Sequence, residues 1–124
     1  MTTKPGILDL TLYRYSSFVL ETLYRDEANA LINTTGFKGI LECRQDFDND
    51  TEIFKWTNEV SSYITFGGAS GAVNINVPPN VTQNYPPGEY YYDFYLKNGS
   101  NVVFPYLRGK MSILNSNIRT LITW

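Results

Sequence analysis

The sequence contains no histidine and a single cysteine, Cys43, in 124 residues. Without histidine the Ser–His and Cys–His nucleophile pairs and every imidazole metal site are excluded, and the commonest general base is missing. One cysteine forms no intramolecular disulfide and no thiolate cluster. Catalysis would have to run on carboxylates, lysine or tyrosine. Neither sign of charge is in excess. Ten Lys and Arg against 12 Asp and Glu leave a formal net charge of −2. That balance gives no electrostatic drive toward nucleic-acid phosphates or anionic lipid. No window approaches the roughly 18 consecutive apolar residues of a membrane-spanning helix. Alanine, lysine and glutamate, which favour helices, are sparse. No repeat or linker divides the chain. The start, Met1-Thr2-Thr3-Lys4-Pro5-Gly6-Ile7, lacks the basic, apolar and small-residue order of an export signal. The expectation is one domain over residues 1–124, made and kept in a cytoplasm, with short arms at 1–6 and 121–124.

Aromatic residues are abundant, at 15% with ten Tyr and seven Phe, and the hydrophobic fraction is 43%. Together with many Asn, Thr and Ser, this composition suits strands and turns. A chain of this length can bury roughly two thirds of its unfolded surface without a metal or disulfide staple. Turn signals recur about every 8–12 residues, the spacing of a sandwich or barrel.

Strict alternation marks the strands. Leu8, Leu10 and Leu12 share one face, and residues 17–24 read as the hairpin partner or the next strand. Residues 25–30 read as a polar connection with room for one helical turn. In residues 37–44, Gly39, Leu41 and Cys43 face one way and Lys38, Ile40, Glu42 and Arg44 the other. Val73, Ile75 and Val77 alternate with Asn74 and Asn76 until Pro78-Pro79 ends the ladder. Residues 89–97 read as the longest strand, with Tyr90, Tyr92, Phe94 and Leu96 inward and Glu89, Tyr91, Asp93, Tyr95 and Lys97 outward. Asn98-Gly99 predicts a tight hairpin with positive φ at both central residues. Two further strands follow at 102–106 and 107–114, the second with Leu107, Gly109, Met111 and Ile113 inward. The pattern predicts an all-β, immunoglobulin-like β-sandwich of about seven to nine mostly antiparallel strands. Its expected core is Leu10, Leu12, Phe18, Leu20, Leu41, Val73, Ile75, Val77, Tyr90, Tyr92, Phe94, Met111 and Ile113.

Motifs that resemble chemistry fail on their details. Asp46, Asp48, Asp50 and Glu52 alternate like the start of a calcium loop. Such a loop needs Gly at its sixth position and Glu at its twelfth, where Thr51 and Thr57 stand, so a solvated loop is expected. Gly67-Gly68-Ala69-Ser70-Gly71 lacks the Gly-Lys-Ser/Thr of a phosphate loop and reads as a turn. Cys43 sits at an apolar strand position and reads as a small buried hydrophobe. Glu89 and Asp93 share a strand face but stand about 13 Å apart, wider than the roughly 5–10 Å of a glycosidase pair. No catalytic, cofactor or metal residues are assigned, and the expectation is a protein that is not an enzyme.

An immunoglobulin-like order makes the strands at 37–44 and 107–114 neighbours of the strand at 89–97. Their outward faces then merge, gathering Glu42, Arg44, Tyr91, Asp93, Tyr95, Arg108 and Lys110. Tyr with Arg is the composition of a protein-interface core. Tyr also stacks on sugar rings, and an ordinary solvated face with Asp93 paired to Arg44 or Arg108 would look the same. Trp124, at the terminus, is expected to pack on its own sandwich or on a neighbour.

Four stretches carry a family resemblance. Leu10-Thr11-Leu12-Tyr13-Arg14 leads into the strand at 18–24, and Thr35-Gly36-Phe37 precedes a strand ending in Arg44. Gly71-Ala72-Val73-Asn74-Ile75-Asn76-Val77-Pro78 precedes Thr82. Pro87-Gly88-Glu89-Tyr90-Tyr91-Tyr92-Asp93-Phe94 is followed by a Gly hairpin and Arg108-Gly109-Lys110-Met111. Over about residues 8–120, the chain resembles the small N-terminal β-sandwich domain of bacteriophage baseplate upper proteins and many tail-fibre proteins. The resemblance implies a virion structural module, assembled in the host cytoplasm. It would dock tail, baseplate, neck or fibre components in repeated, homo-oligomeric copies, with no nucleic-acid or membrane partner. The alternative is a carbohydrate-binding module for host surface glycans, using Tyr91 and Tyr95 or the loop aromatics Tyr63 and Tyr85.

Overall fold

The computed structural model describes residues 5–48, 50–59 and 62–123. The part of the N-terminal arm at 1–4 and Trp124 lie outside the described residues. The strands are β1 (Gly6–Ile7), β2 (Leu10–Tyr13), β3 (Phe18–Leu23), β4 (Lys38–Arg44), β5 (Glu52–Thr57), β6 (Ile64–Phe66), β7 (Ala72–Val77), β8 (Gly88–Lys97) and β9 (Val103–Leu114). A 3-10 turn spans Gly68–Ser70, and a one-turn helix, α1, spans Pro79–Thr82.

Two sheets form the domain. One runs β9-β8-β4-β5, with β1 and β2 both parallel to β9; the other runs β3-β7-β6. The chain changes sheet after β2, β3, β5 and β7, which is the connectivity of an immunoglobulin-like sandwich. Residues 17–24 therefore do not form a hairpin with residues 8–12. The chain turns through Tyr15 (φ 68°) into the opposite sheet.

The inner faces follow the alternation. Tyr90 is 6% exposed, and Tyr92, Phe94 and Leu96 are each 1% exposed, while their alternate neighbours point outward. The expected core residues are buried except Leu20, which is half-buried against the core. The alternation did not single out Trp56, which is 0% exposed. Its ring lies 4.3 Å from Phe54 and 5.4 Å from Phe18, and Nε1 donates to the Tyr85 hydroxyl at 2.8 Å. Cys43, Phe37, Phe104, Tyr24 and Ile64 complete the core.

Two tyrosine hydroxyls tie the loops to the sandwich. Tyr90 donates to the Pro86 and Pro87 carbonyls at 3.0 and 3.1 Å, closing the corner that starts β8. Tyr92 donates to the Leu8 carbonyl, anchoring the segment between β1 and β2. That segment crosses close over Gly109, where a Cβ would stand 2.4 Å from the Leu8 oxygen, so only glycine fits.

Val103–Leu114 form one 12-residue strand, longer than the ten-residue β8. A register shift at Phe94/Tyr95 absorbs the extra residue Tyr106, and Leu107 and Gly109 end half-buried. Asn98-Gly99 is not a two-residue turn with positive φ. The left-handed residue is Asn101 (φ 64°). The Asn98 Oδ1 accepts from the Ser100 and Val102 amides at 2.9 and 3.1 Å, which stabilises a longer loop. Residues 25–30 form no helical turn; the Asp26 and Asn29 amides close a bend under the Arg25–Leu31 bridge. Pro78-Pro79 does end β7, with Pro79 also opening α1.

Candidate functional site

Register places the outward side chains of β4, β8 and β9 in rows. Arg44, Tyr91 and Lys110 form one row, and Glu42, Asp93 and Arg108 the next. Ile40, Tyr95 and Pro105 form the third. The seven expected face residues are thus brought together on the centre of one sheet. The β5 partner strand extends the first two rows with Glu52 and Lys55.

The charges on this face are mostly paired. Arg108 Nε meets Asp93 Oδ1 at 3.2 Å, the cross-strand partner that the sequence allowed. Arg44 does not reach Asp93. It meets Glu42 on its own strand at 2.6 Å and donates to the Asp50 carbonyl, so it clamps the β4–β5 loop. Burial raises the Asp93 carboxyl above the usual carboxylate range, and the Arg108 guanidinium opposes that shift. Lys110 is exposed; its amide donates to Asp9 Oδ1 at 3.0 Å, and its ammonium makes no ion pair among the described residues. Glu89 and Asp93 serve different partners, since Glu89 accepts from the Ser112 hydroxyl at 2.9 Å.

Phe47 is the face residue that sequence reasoning missed. The loop at 46–51 was expected to be solvated throughout. Instead Phe47 folds onto the sheet, with its ring 4.8 Å from Tyr91 and 4.1 Å from the Arg108 guanidinium. The signal available was a lone aromatic in an acidic loop. The loop and sheet enclose a cleft of about 290 Å³ between Phe47, Glu42, Tyr91, Asp93 and Tyr95. Tyr95 is 39% exposed and Phe47 47%, so the covering is partial.

Other candidates are placed elsewhere. Tyr85 stacks on Phe54 at 4.5 Å with 17° between planes and accepts from Trp56, so it is not an open sugar platform. Tyr63 is half-buried against the core. Cys43 is 0% exposed, and burial pushes its thiol up to about 12, which leaves no thiolate for chemistry at neutral pH. A concavity of about 660 Å³ lies over Tyr24, Phe37 and Phe104. Those rings are at least nine-tenths buried and offer little stacking surface. Among the described residues, no group of three or more acidic or cysteine side chains is placed to hold a metal ion.

No protein-family model and no curated protein matches the sequence. Among solved structures, the chain is similar to the extracellular domains of the voltage-gated sodium channel beta4 subunit, described as parallel homodimers with a role in cell–cell adhesion. Identity is 9%, 94% of this chain and 98% of that chain are covered, and the TM-score is 0.45. It is also similar to part of the 2,6-sialyltransferase of Vibrionaceae Photobacterium sp. JT-ISH-224, solved with CMP and lactose. There identity is 9%, coverage is 92% of this chain but 19% of that chain, and the TM-score is 0.36. Both likenesses are distant.

Proposed function

We propose that the chain is a nonenzymatic docking module that joins components of a larger particle through the outer face of β4, β8 and β9. The observation that carries this reading is the partial cover of Phe47 over Tyr91 and Arg108, with Tyr95 left open beside it. Tyr and Arg are the residue types that dominate binding energy at protein interfaces. Here they are also held in advance. Arg108 is fixed between Asp93 and Phe47, and Arg44 between Glu42 and the Asp50 carbonyl. Side chains ordered before contact lower the entropic cost of association. They sit on β4, β8 and β9, each of which is paired with strands on both sides. The carboxylates of the face are committed to ion pairs and hydrogen bonds, and no histidine is available, which favours binding over catalysis.

The resemblance to phage tail and baseplate modules names the partner class: other virion structural proteins, met in repeated copies. The test is binding of the purified chain to isolated tail, baseplate, neck and fibre components. A Tyr91→Ala/Tyr95→Ala variant is expected to bind its component roughly tenfold to a hundredfold more weakly while its melting curve is little changed. Binding to glycans that depends on the same two tyrosines, with no virion component bound, would overturn the docking reading.

A further inference from the structure

We infer that the outer edge of β3 pairs with the same edge of a second copy, joining the two three-stranded sheets into one. This goes beyond the docking face, uses none of its residues and does not depend on it.

Strand β3 ends its sheet, with β7 on one side and no strand on the other among the described residues. The register and the Tyr24 amide bond to the Gly71 carbonyl (2.7 Å) show which backbone groups are used. Phe18, Leu20 and Thr22 turn their N–H and C=O toward β7, and on the same side Tyr24 gives its N–H to Gly71 and its C=O to the Ile32 amide. Val19, Glu21, Leu23 and Arg25 turn theirs outward, with no partner among the described residues. Exposed edges of this kind are normally blunted by brevity, charge, proline or a bulge. The β6 edge has three residues, and β5 carries Glu52 and Lys55 beside a register shift. The β3 edge is longer, straight and partly apolar, with Val19 53% and Leu23 50% exposed. An apolar cleft of about 280 Å³, walled by Phe104, Tyr106 and Leu107, adjoins the Leu23 end.

The charges select the partner and the register. Glu21 and Arg25 flank Leu23 symmetrically, two residues to either side. When two copies meet antiparallel with Leu23 opposite Leu23, each Glu21 falls opposite the Arg25 of the other copy. All these side chains lie on one face of the joined sheet, since residues two apart in a strand share a face. Three outward-facing backbone positions on each copy then exchange hydrogen bonds around the two-fold axis, Leu23 with Leu23 and Glu21 with the Arg25 of the other copy. A guard charge of one sign would repel a second copy; this pair attracts one. Arg25 holds the Asn29 carbonyl with one nitrogen at 3.0 Å, which leaves its other donors for the carboxylate.

Sedimentation equilibrium of the full chain over a range of concentrations tests the pairing. The expected result is a reversible dimer. Glu21→Arg, which sets like charges opposite each other, should weaken it by about tenfold. Glu21→Arg/Arg25→Glu should restore it, and this rescue is specific to the register. Glu21→Pro removes an outward amide and should abolish the dimer while circular dichroism still shows a folded sheet. If that variant misfolds, the charge swap decides alone. A chain that stays monomeric at every concentration, a dimer indifferent to Glu21→Arg, or a double variant that fails to recover would each overturn the inference. Tyr91→Ala/Tyr95→Ala should dimerise normally, so loss of docking and loss of self-association are read apart.

Discussion

Replacing Phe94 with alanine is expected to lower stability by about 3–5 kcal/mol. Phe94 is 1% exposed at the centre of β8, where it pairs in register with Leu41 on one side and Leu107 on the other. Its ring meets Tyr106 edge-on at 5.6 Å. Both flanking strands are held by backbone ladders, so the cavity left by alanine cannot close by a small shift. The adjacent residue supplies the contrast. Tyr95 points the other way, and Tyr95→Ala should change stability by no more than about 0.5 kcal/mol. Urea unfolding of the two variants checks this. A loss below about 1 kcal/mol for Phe94→Ala would mean that the strand faces are assigned the wrong way round.

The second large effect is expected at Trp56. Trp56→Ala removes a fully buried indole that contacts Phe18, Phe54 and Tyr85 and leaves the Tyr85 hydroxyl without its donor. The cavity alone should cost about 3–5 kcal/mol, and the orphaned hydroxyl about 1–3 kcal/mol more unless it turns to water. Trp56→Phe keeps most of the aromatic packing and loses the N–H bond. Its expected cost is about 1–3 kcal/mol, on the same denaturation assay. A tryptophan variant as stable as the parent would mean that β5 is not part of the core sheet.

The rows of the sandwich were legible where alternation is long and strongly apolar, as in β7 and β8. Six or more residues of period two leave one choice of inner face. Trp56 was not legible because β5 shows one clear alternation around a lysine, and its burial depends on Tyr85 arriving from a distant loop. The sheet to which β3 belongs was not legible either, since a turn at Tyr15 serves a hairpin or a crossover equally well. At the candidate site, the rows on β4, β8 and β9 followed from parity once the strand order was supposed. The side chain of Phe47 did not. Its place rests on contacts 44 and 61 residues away in the chain, at Tyr91 and Arg108, and no local pattern encodes them. Arg44 illustrates the same point in reverse. Its strand position was right, but a loop carbonyl and Glu42 outcompeted the cross-strand carboxylate.

Tyrosine nitration, mapped residue by residue on the isolated chain and on the chain bound to a virion component, reads the two faces of β8 separately. Tyr95, and more slowly Tyr91, should react in the isolated chain and become protected in the complex, while Tyr90 and Tyr92 stay unreactive in both. Reaction at Tyr92 in the folded chain, or equal reactivity of Tyr95 before and after binding, would contradict the claim that one row of β8 builds the core and the other meets a partner.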